Sequence, residues 1–306
     1  MFEAFGGPAS APPTGAATGL GEDGWADGDG VRLHYVARGE GPAVLLLHGF
    51  PDFWYGWRHQ LAALADAGFR AVAVDLRGYN LSQRPARVAA YALDRLAADV
   101  AALAGAFGGR VHVVGHDWGG AIAWRLAVRW PDVVDRLAIL NAPHPRRFAE
   151  LLRTPGQIVR SWYTGAVQVP VVPELLLEAN HRALLHAAWS AMHRWPGAFT
   201  EHDHAVYDAA FSSPGAVWGG LAYYRAAARG PREAFDSDVP RSEEVVRAPT
   251  LVVWGEEDPA LLRANAEGLG RWVPDLRVRR VPGAGHFVQS DAPGVVNEAL
   301  GDFLRG

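Results

Sequence analysis

No cysteine occurs among the 306 residues, which excludes disulfides, thiolate metal sites and a cysteine nucleophile. Lysine is missing as well: all 29 basic residues are arginine, a compositional bias from which no function is read. Against 33 acidic residues the net charge is only −4, and no basic stripe stands out. Neither nucleic acid nor an anionic membrane surface is therefore expected as a partner. No apolar run approaches the length of a membrane span. There is no internal repeat, and biased composition is confined to residues 1–24, rich in Gly, Ala and Pro. That stretch lacks a cationic start followed by an apolar run, so it reads as a flexible tail and not as a secretory signal. The cytoplasm is the expected location. The remainder, 49% hydrophobic and 20% charged overall, is ordinary globular composition, long enough for a sizeable core and an inserted lobe.

What is present is a repeating alternation of strands and helices. Residues 31–37 (VRLHYVA) alternate as a half-exposed strand does, and residues 43–47 (AVLLL) form a continuous apolar run suited to a buried parallel strand. A helix over 57–67, a strand over 69–74, a helix over 91–107, a strand from 111 and a strand over 137–140 follow. From about residue 146 to 246 the rhythm breaks into aromatic, Ala-rich helical stretches interrupted by Pro155, Pro170, Pro173, Pro196 and Pro214. It resumes at TLVVWGEEDP and LRVRRVPGAGH and closes with a helix over 295–304. The pattern predicts an α/β fold with a mostly parallel sheet covered by helices on both faces: a core of residues 25–145 and 247–306, with residues 146–246 as an inserted all-helical cap.

The chain is organised around VHVVGHDWGG, residues 111–120. A short buried strand runs into Gly115-His116-Asp117-Trp118-Gly119 and then into a helix, which is the nucleophile-elbow pattern with aspartate in place of serine. A simple helix cap is the alternative reading of Asp117. Asp258 and His286 each follow a later strand, in the order nucleophile, acid, histidine, and strand ends of parallel sheets converge on one site. Asp258 is suited to hold the imidazole of His286 in one tautomer. An aspartate nucleophile acts poorly on esters, because acyl attack would give an anhydride. Attack on a saturated carbon gives an alkyl ester that His286-activated water can cleave, with the backbone N–H groups of Phe50 and Trp118 as the oxyanion hole. The chemistry expected is therefore epoxide opening or halide displacement, with no cofactor and no metal.

HGFPDFWYGWRHQL, DLRGYNLSQRP, GHDWGG, LNAPHP and GAGHFVQSD together resemble the epoxide hydrolases of the α/β-hydrolase fold, over the chain from about Trp25 onward. The resemblance implies a small-molecule epoxide as substrate. It also implies two cap tyrosines as proton donors: SWYTGAVQVPVVPE and GLAYYRAA match the segments that carry them, which assigns the roles to Tyr163 and Tyr224, with Tyr223 as the competing choice. A phenol near its reference pKa of about 10 is protonated at neutral pH and can donate to the epoxide oxygen. His48, Pro51, Trp118, Trp162, Tyr223 and Phe287 are expected to contact substrate, and a homodimer is compatible with the sequence. Two departures stand out. Asn80 replaces the second glycine of the usual G-Y-G-x-S, and Gly165-Ala166-Val167 are small where relatives often carry bulky aromatics.

The nearest rival is a haloalkane dehalogenase, in which the Trp118 indole would stabilise the departing halide. Phe50 offers no side-chain donor for that role, and the tyrosine pair would be idle. A haloacid-type enzyme would need a cation where Trp118 stands. A non-catalytic binding protein would not need the full Asp-Asp-His set. His202-Asp203-His204 with His193 can be drawn as a metal site, but the spacing is weak.

Overall fold

The computed structural model describes residues 11–179, 181–195, 197–229 and 245–306. Eight strands form one sheet in the order β1-β2-β4-β3-β5-β6-β7-β8. They are β1 (Glu22–Asp27), β2 (Arg32–Arg38), β3 (Ala43–Leu47), β4 (Arg70–Val74), β5 (Val111–His116), β6 (Val134–Leu140), β7 (Thr250–Gly255) and β8 (Leu276–Val281). β1 and β2 run antiparallel to their neighbours; β4, β3, β5, β6, β7 and β8 are mutually parallel. Every residue of β3, β5 and β7 is buried, the pattern of strands covered on both faces.

The helices of the first half are α1 (Gly15–Thr18), α2 (Arg58–Asp66), α3 (Leu93–Gly105) and α4 (Trp118–Arg129). The connection β3-α2-β4 steps one way across the sheet, and β4-α3-β5 and β5-α4-β6 step the other. Right-handed crossovers therefore put α2 on the face opposite α3 and α4. The packing agrees: α3 rests on α4, and α2 on α13 (Pro293–Arg305), which follows the short α12 (Val288–Asp291).

Between β6 and β7 the described residues contain helices and no strand: α5 (Pro145–Leu151), α6 (Pro155–Arg160), α7 (Trp162–Ala166), α8 (Val172–Ala179), α9 (His181–Met192), α10 (Glu201–Phe211) and α11 (Ala216–Arg229). Pro155 opens α6 and Pro173 lies in the first turn of α8, positions where the missing N–H costs nothing, so these prolines start helices and do not interrupt them. Pro196 and residues 230–244 of the expected cap lie outside the described residues.

The expected tail needs correction. Residues 1–10 lie outside the described residues, but from Pro13 onward the chain is tied to the core. The Pro13 carbonyl accepts the Trp54 indole N–H at 3.1 Å and Asn80 Nδ2 at 3.2 Å, Thr14 caps α1, and Asp23 accepts the Gly15 and Ala16 amides. β1 escapes a periodicity reading because it is an edge strand with no buried residue, so it needs no apolar side.

Candidate active site

β5 delivers Asp117 at its C-terminal end with φ of 51°, a backbone region that a non-glycine residue occupies only under constraint. The constraint is steric. A β-carbon on Gly119 would lie 2.1 Å from the Leu47 carbonyl oxygen, and one on Gly115 would lie 2.5 Å from that of Gly119. Neither position admits any side chain, so strand and helix close tightly and hold Asp117 at their apex. Asp117 occupies the N-cap position of α4, yet its side chain makes no capping hydrogen bond, which removes the helix-cap alternative. Its Oδ1 instead accepts the Phe50 N–H at 2.9 Å, from the loop after β3. The Trp118 N–H, first in α4, belongs to the group of amides that have no partner within a helix.

His286 and Asp258 meet Asp117 from the ends of β8 and β7. His286 Nδ1 donates to Asp258 Oδ2 at 2.7 Å, and Nε2 stands 3.5 Å from Asp117 Oδ2. Asp258 is held by three further donors: the Ala260 and Leu261 amides on Oδ1, and Asn141 Nδ2 on Oδ2 at 2.8 Å. The His286 loop is pinned in turn. Its N–H donates to the Met192 carbonyl, its carbonyl accepts from His116 Nε2, and the Gly285 N–H donates to Asp291 Oδ2. Asn141, His116 and Asp291 were not among the expected site residues. Their signals lay inside LNAPHP, GHDWGG and GAGHFVQSD, where each stands beside a more conspicuous residue.

The electrostatics follow from two carboxylates sharing one imidazole. Burial opposes charge on His286, but Asp258 and Asp117 outweigh it and lift its pKa to about 10. Burial likewise opposes charge on Asp117, and His286, His116 and the Phe50 N–H hold its carboxyl below the usual carboxylate range. In the resting site Asp117 is an anion and His286 an imidazolium.

Tyr163 on α7 and Tyr224 on α11 come together above this group. Their rings lie edge to face at 5.8 Å. Tyr224 also packs edge-on against Phe50 at 5.8 Å and Trp118 at 5.0 Å, the two residues whose amides flank Asp117. Gln168 Nε2 donates to the Tyr224 carbonyl and Arg225 donates to the Val167 and Val169 carbonyls, so the two tyrosine-bearing segments are tied to each other. Burial first, and then Asp117 among other charges and phenols, raises both phenol pKa values, so both remain protonated donors.

Several expected substrate contacts are placed elsewhere. His48 is fully buried, donating from Nδ1 to the Gly49 carbonyl and accepting the Leu76 N–H at Nε2, with its pKa lowered by burial to about 4. It braces the loop that presents Phe50 and has no polar atom left for a ligand. Trp162 faces outward, 72% exposed. Tyr223 donates its hydroxyl to the Arg77 carbonyl at 2.7 Å, which leaves Tyr224 as the paired phenol. Phe287 stacks on His193 and lies beside His116, behind His286. Pro51 is buried, its carbonyl taken by the Trp189 indole. The drawn metal site does not form among the described residues: Asp203 is engaged by Arg58, Tyr55 and Thr200, and His193 is stacked on Phe287.

With a buried carboxylate at an elbow, a carboxylate-backed histidine beside it and two phenols opposite, the site can attack a saturated carbon, protonate the departing oxygen and hydrolyse the resulting ester. Residues 42–293 match a family model described as the alpha/beta hydrolase fold. The AB hydrolase superfamily protein YfhM of Bacillus subtilis is 37% identical over 90% of this chain and 96% of that protein. Epoxide hydrolase 4 of Mus musculus is 39% identical over 90% of this chain and 77% of that protein. The crystal structure of Bacillus megaterium epoxide hydrolase in complex with an inhibitor superposes with a TM-score of 0.84 at 34% identity, covering 92% of this chain and all of that one. The chain belongs to the α/β-hydrolase fold family, in the group that contains the epoxide hydrolases.

Proposed function

We propose that this protein hydrolyses epoxides to vicinal diols through a covalent alkyl ester on Asp117. The observation that carries the reading is the elbow carboxylate, hydrogen-bonded to Phe50 and beside His286, with the Tyr163–Tyr224 pair packed edge to face over it. Oδ2 of Asp117, the oxygen not held by Phe50, attacks one epoxide carbon. As the carbon–oxygen bond breaks, the departing oxygen takes a proton from Tyr163 or Tyr224, and the His286 proton restores the phenol. Neutral His286 then removes a proton from water, which adds to the Asp117 carbonyl carbon. The oxyanion forms at Oδ1, which already accepts the Phe50 amide, with the Trp118 amide as the proposed second donor; removal of one such donor typically costs about 3 to 4 kcal/mol of barrier. Collapse releases the diol and leaves one water oxygen in the carboxylate. In this reading helices α5–α11 act as the cap that excludes bulk water, over a core of residues 25–145 and 247–306.

The Tyr163–Tyr224 pair supplies the proton that a departing epoxide oxygen needs and a halide does not, and Phe50 carries no side-chain donor for a halide, which disfavours haloalkane dehalogenation. The test is a single turnover in heavy-oxygen water. The first diol should carry an unlabelled new oxygen from Asp117, and label should enter the protein. Label in the first diol would mean direct attack by water and would refute the covalent route.

A further inference from the structure

From Ile158 to Leu176 the chain turns an apolar face to solvent. Trp162 is 72% exposed, Val159 69% and Val171 60%, and Ile158, Leu175 and Leu176 are each more than half exposed. Ile158, Val159 and Trp162 lie at helical spacing along α6 and α7, and Leu175 and Leu176 lie on α8. The link between them is held from the inner side by Arg225, through the Val167 and Val169 carbonyls and an ion pair with Glu174. The inner side of this stretch is thus committed to Tyr163 and its supports, while among the described residues the outer side is left exposed. Six side chains of this size offer on the order of 700 Å², above the largest apolar patch typical of a monomer and near the ~800 Å² per partner of a standard interface.

The chemistry of the face selects its occupant. Within this span Arg160 is the only exposed charge, and Glu174 is neutralised by Arg225. A two-fold interface sets one patch against itself, so it must be self-complementary, and an apolar face with one charge satisfies that without repulsion. An anionic lipid surface would be attracted by a basic rim, whereas this chain carries a net −4.

We infer that the outward face of α6–α8 is the contact surface of a homodimer, in which each copy braces the outer side of the segment carrying the other's Tyr163. The inference goes beyond the proposed reaction and does not depend on it. Sedimentation velocity on the full chain, over a concentration series, should show a species of twice the chain mass. Val159→Asp/Leu175→Asp places charge in the centre of the face without touching the core, and should weaken self-association roughly 100-fold while the circular dichroism spectrum is unchanged. Because the chain has no cysteine, single replacements report position directly. Val171→Cys or Leu176→Cys should yield a disulfide-linked dimer under mild oxidation, and Glu40→Cys, remote on the β2–β3 turn, should not. A monomer at every concentration, a dimer indifferent to the two aspartates, or a monomer that co-sediments with lipid vesicles would each overturn the inference.

Discussion

Asn141 and Asp258, at the ends of adjacent strands β6 and β7, are joined by a 2.8 Å hydrogen bond to the same Asp258 oxygen that receives His286. Asn141 also accepts the Gly255 N–H through Oδ1, so its amide is spent on both sides, and it sits at φ of 39°. It positions Asp258, the carboxylate that holds His286. Asn141→Ala should lower stability by about 1 to 3 kcal/mol, because the Gly255 amide loses its partner in the core. It should also slow ester hydrolysis more than ester formation. Rapid-quench detection of a larger steady-state fraction of alkylated protein would bear this out; an unchanged fraction would restrict Asn141 to a structural role.

His286→Gln should still be alkylated by an epoxide and then stall, since attack needs only ionised Asp117 while the second step needs a base. Intact-protein mass should rise by one substrate and stay there. A folded variant that keeps its unmodified mass after prolonged incubation would count against this separation of steps.

The tyrosine pair should separate epoxide from halide chemistry. General-acid help is typically worth about 10² to 10⁴ in rate. Tyr163→Phe and Tyr224→Phe should each slow alkylation, and the double variant should be nearly inactive toward epoxides. If the double variant retained near-full turnover, or if the wild type released halide from haloalkanes faster than it opened epoxides, the phenols would not be the acid.

The charge state of His286 predicts a pH dependence of stability. Its folded pKa, about 10, lies above its unfolded value of about 6.5. Protonation therefore favours the folded state: the contribution is full below about pH 6.5 and is lost as pH rises through about 10. Chemical denaturation at pH 6.5 and pH 10 should show a larger loss of stability in the wild type than in His286→Gln. Parallel curves for the two proteins would mean that His286 is not charged at rest.

The fold and the chemical core were largely legible along the chain, because both are written in local patterns. β3 spans the residues expected for it, since a strand buried on both faces must be continuously apolar. The elbow shows itself in two glycines around an acid, since no β-carbon fits at either position. The order Asp117, Asp258, His286 follows from strand ends that share one edge of a parallel sheet.

Tertiary structure decided what depends on rotation and on partners distant in sequence. Tyr223 and Tyr224 are neighbours of one type, separated by the ~100° turn per residue of a helix. Only the docking of α11 gives the Tyr223 hydroxyl to the Arg77 carbonyl and sets the Tyr224 ring against Tyr163 and Trp118. Trp162 and Tyr163 divide in the same way between solvent and site. His48 resembles a ligand in sequence, yet its partners are backbone atoms of its own loop and of the strand end beside it. β1 carries no pattern because an edge strand is stabilised by pairing with β2, not by burial of its own side chains. The sequence determined which groups could do the chemistry; packing determined which of them face one another, because facing is a relation between elements and no local period encodes it.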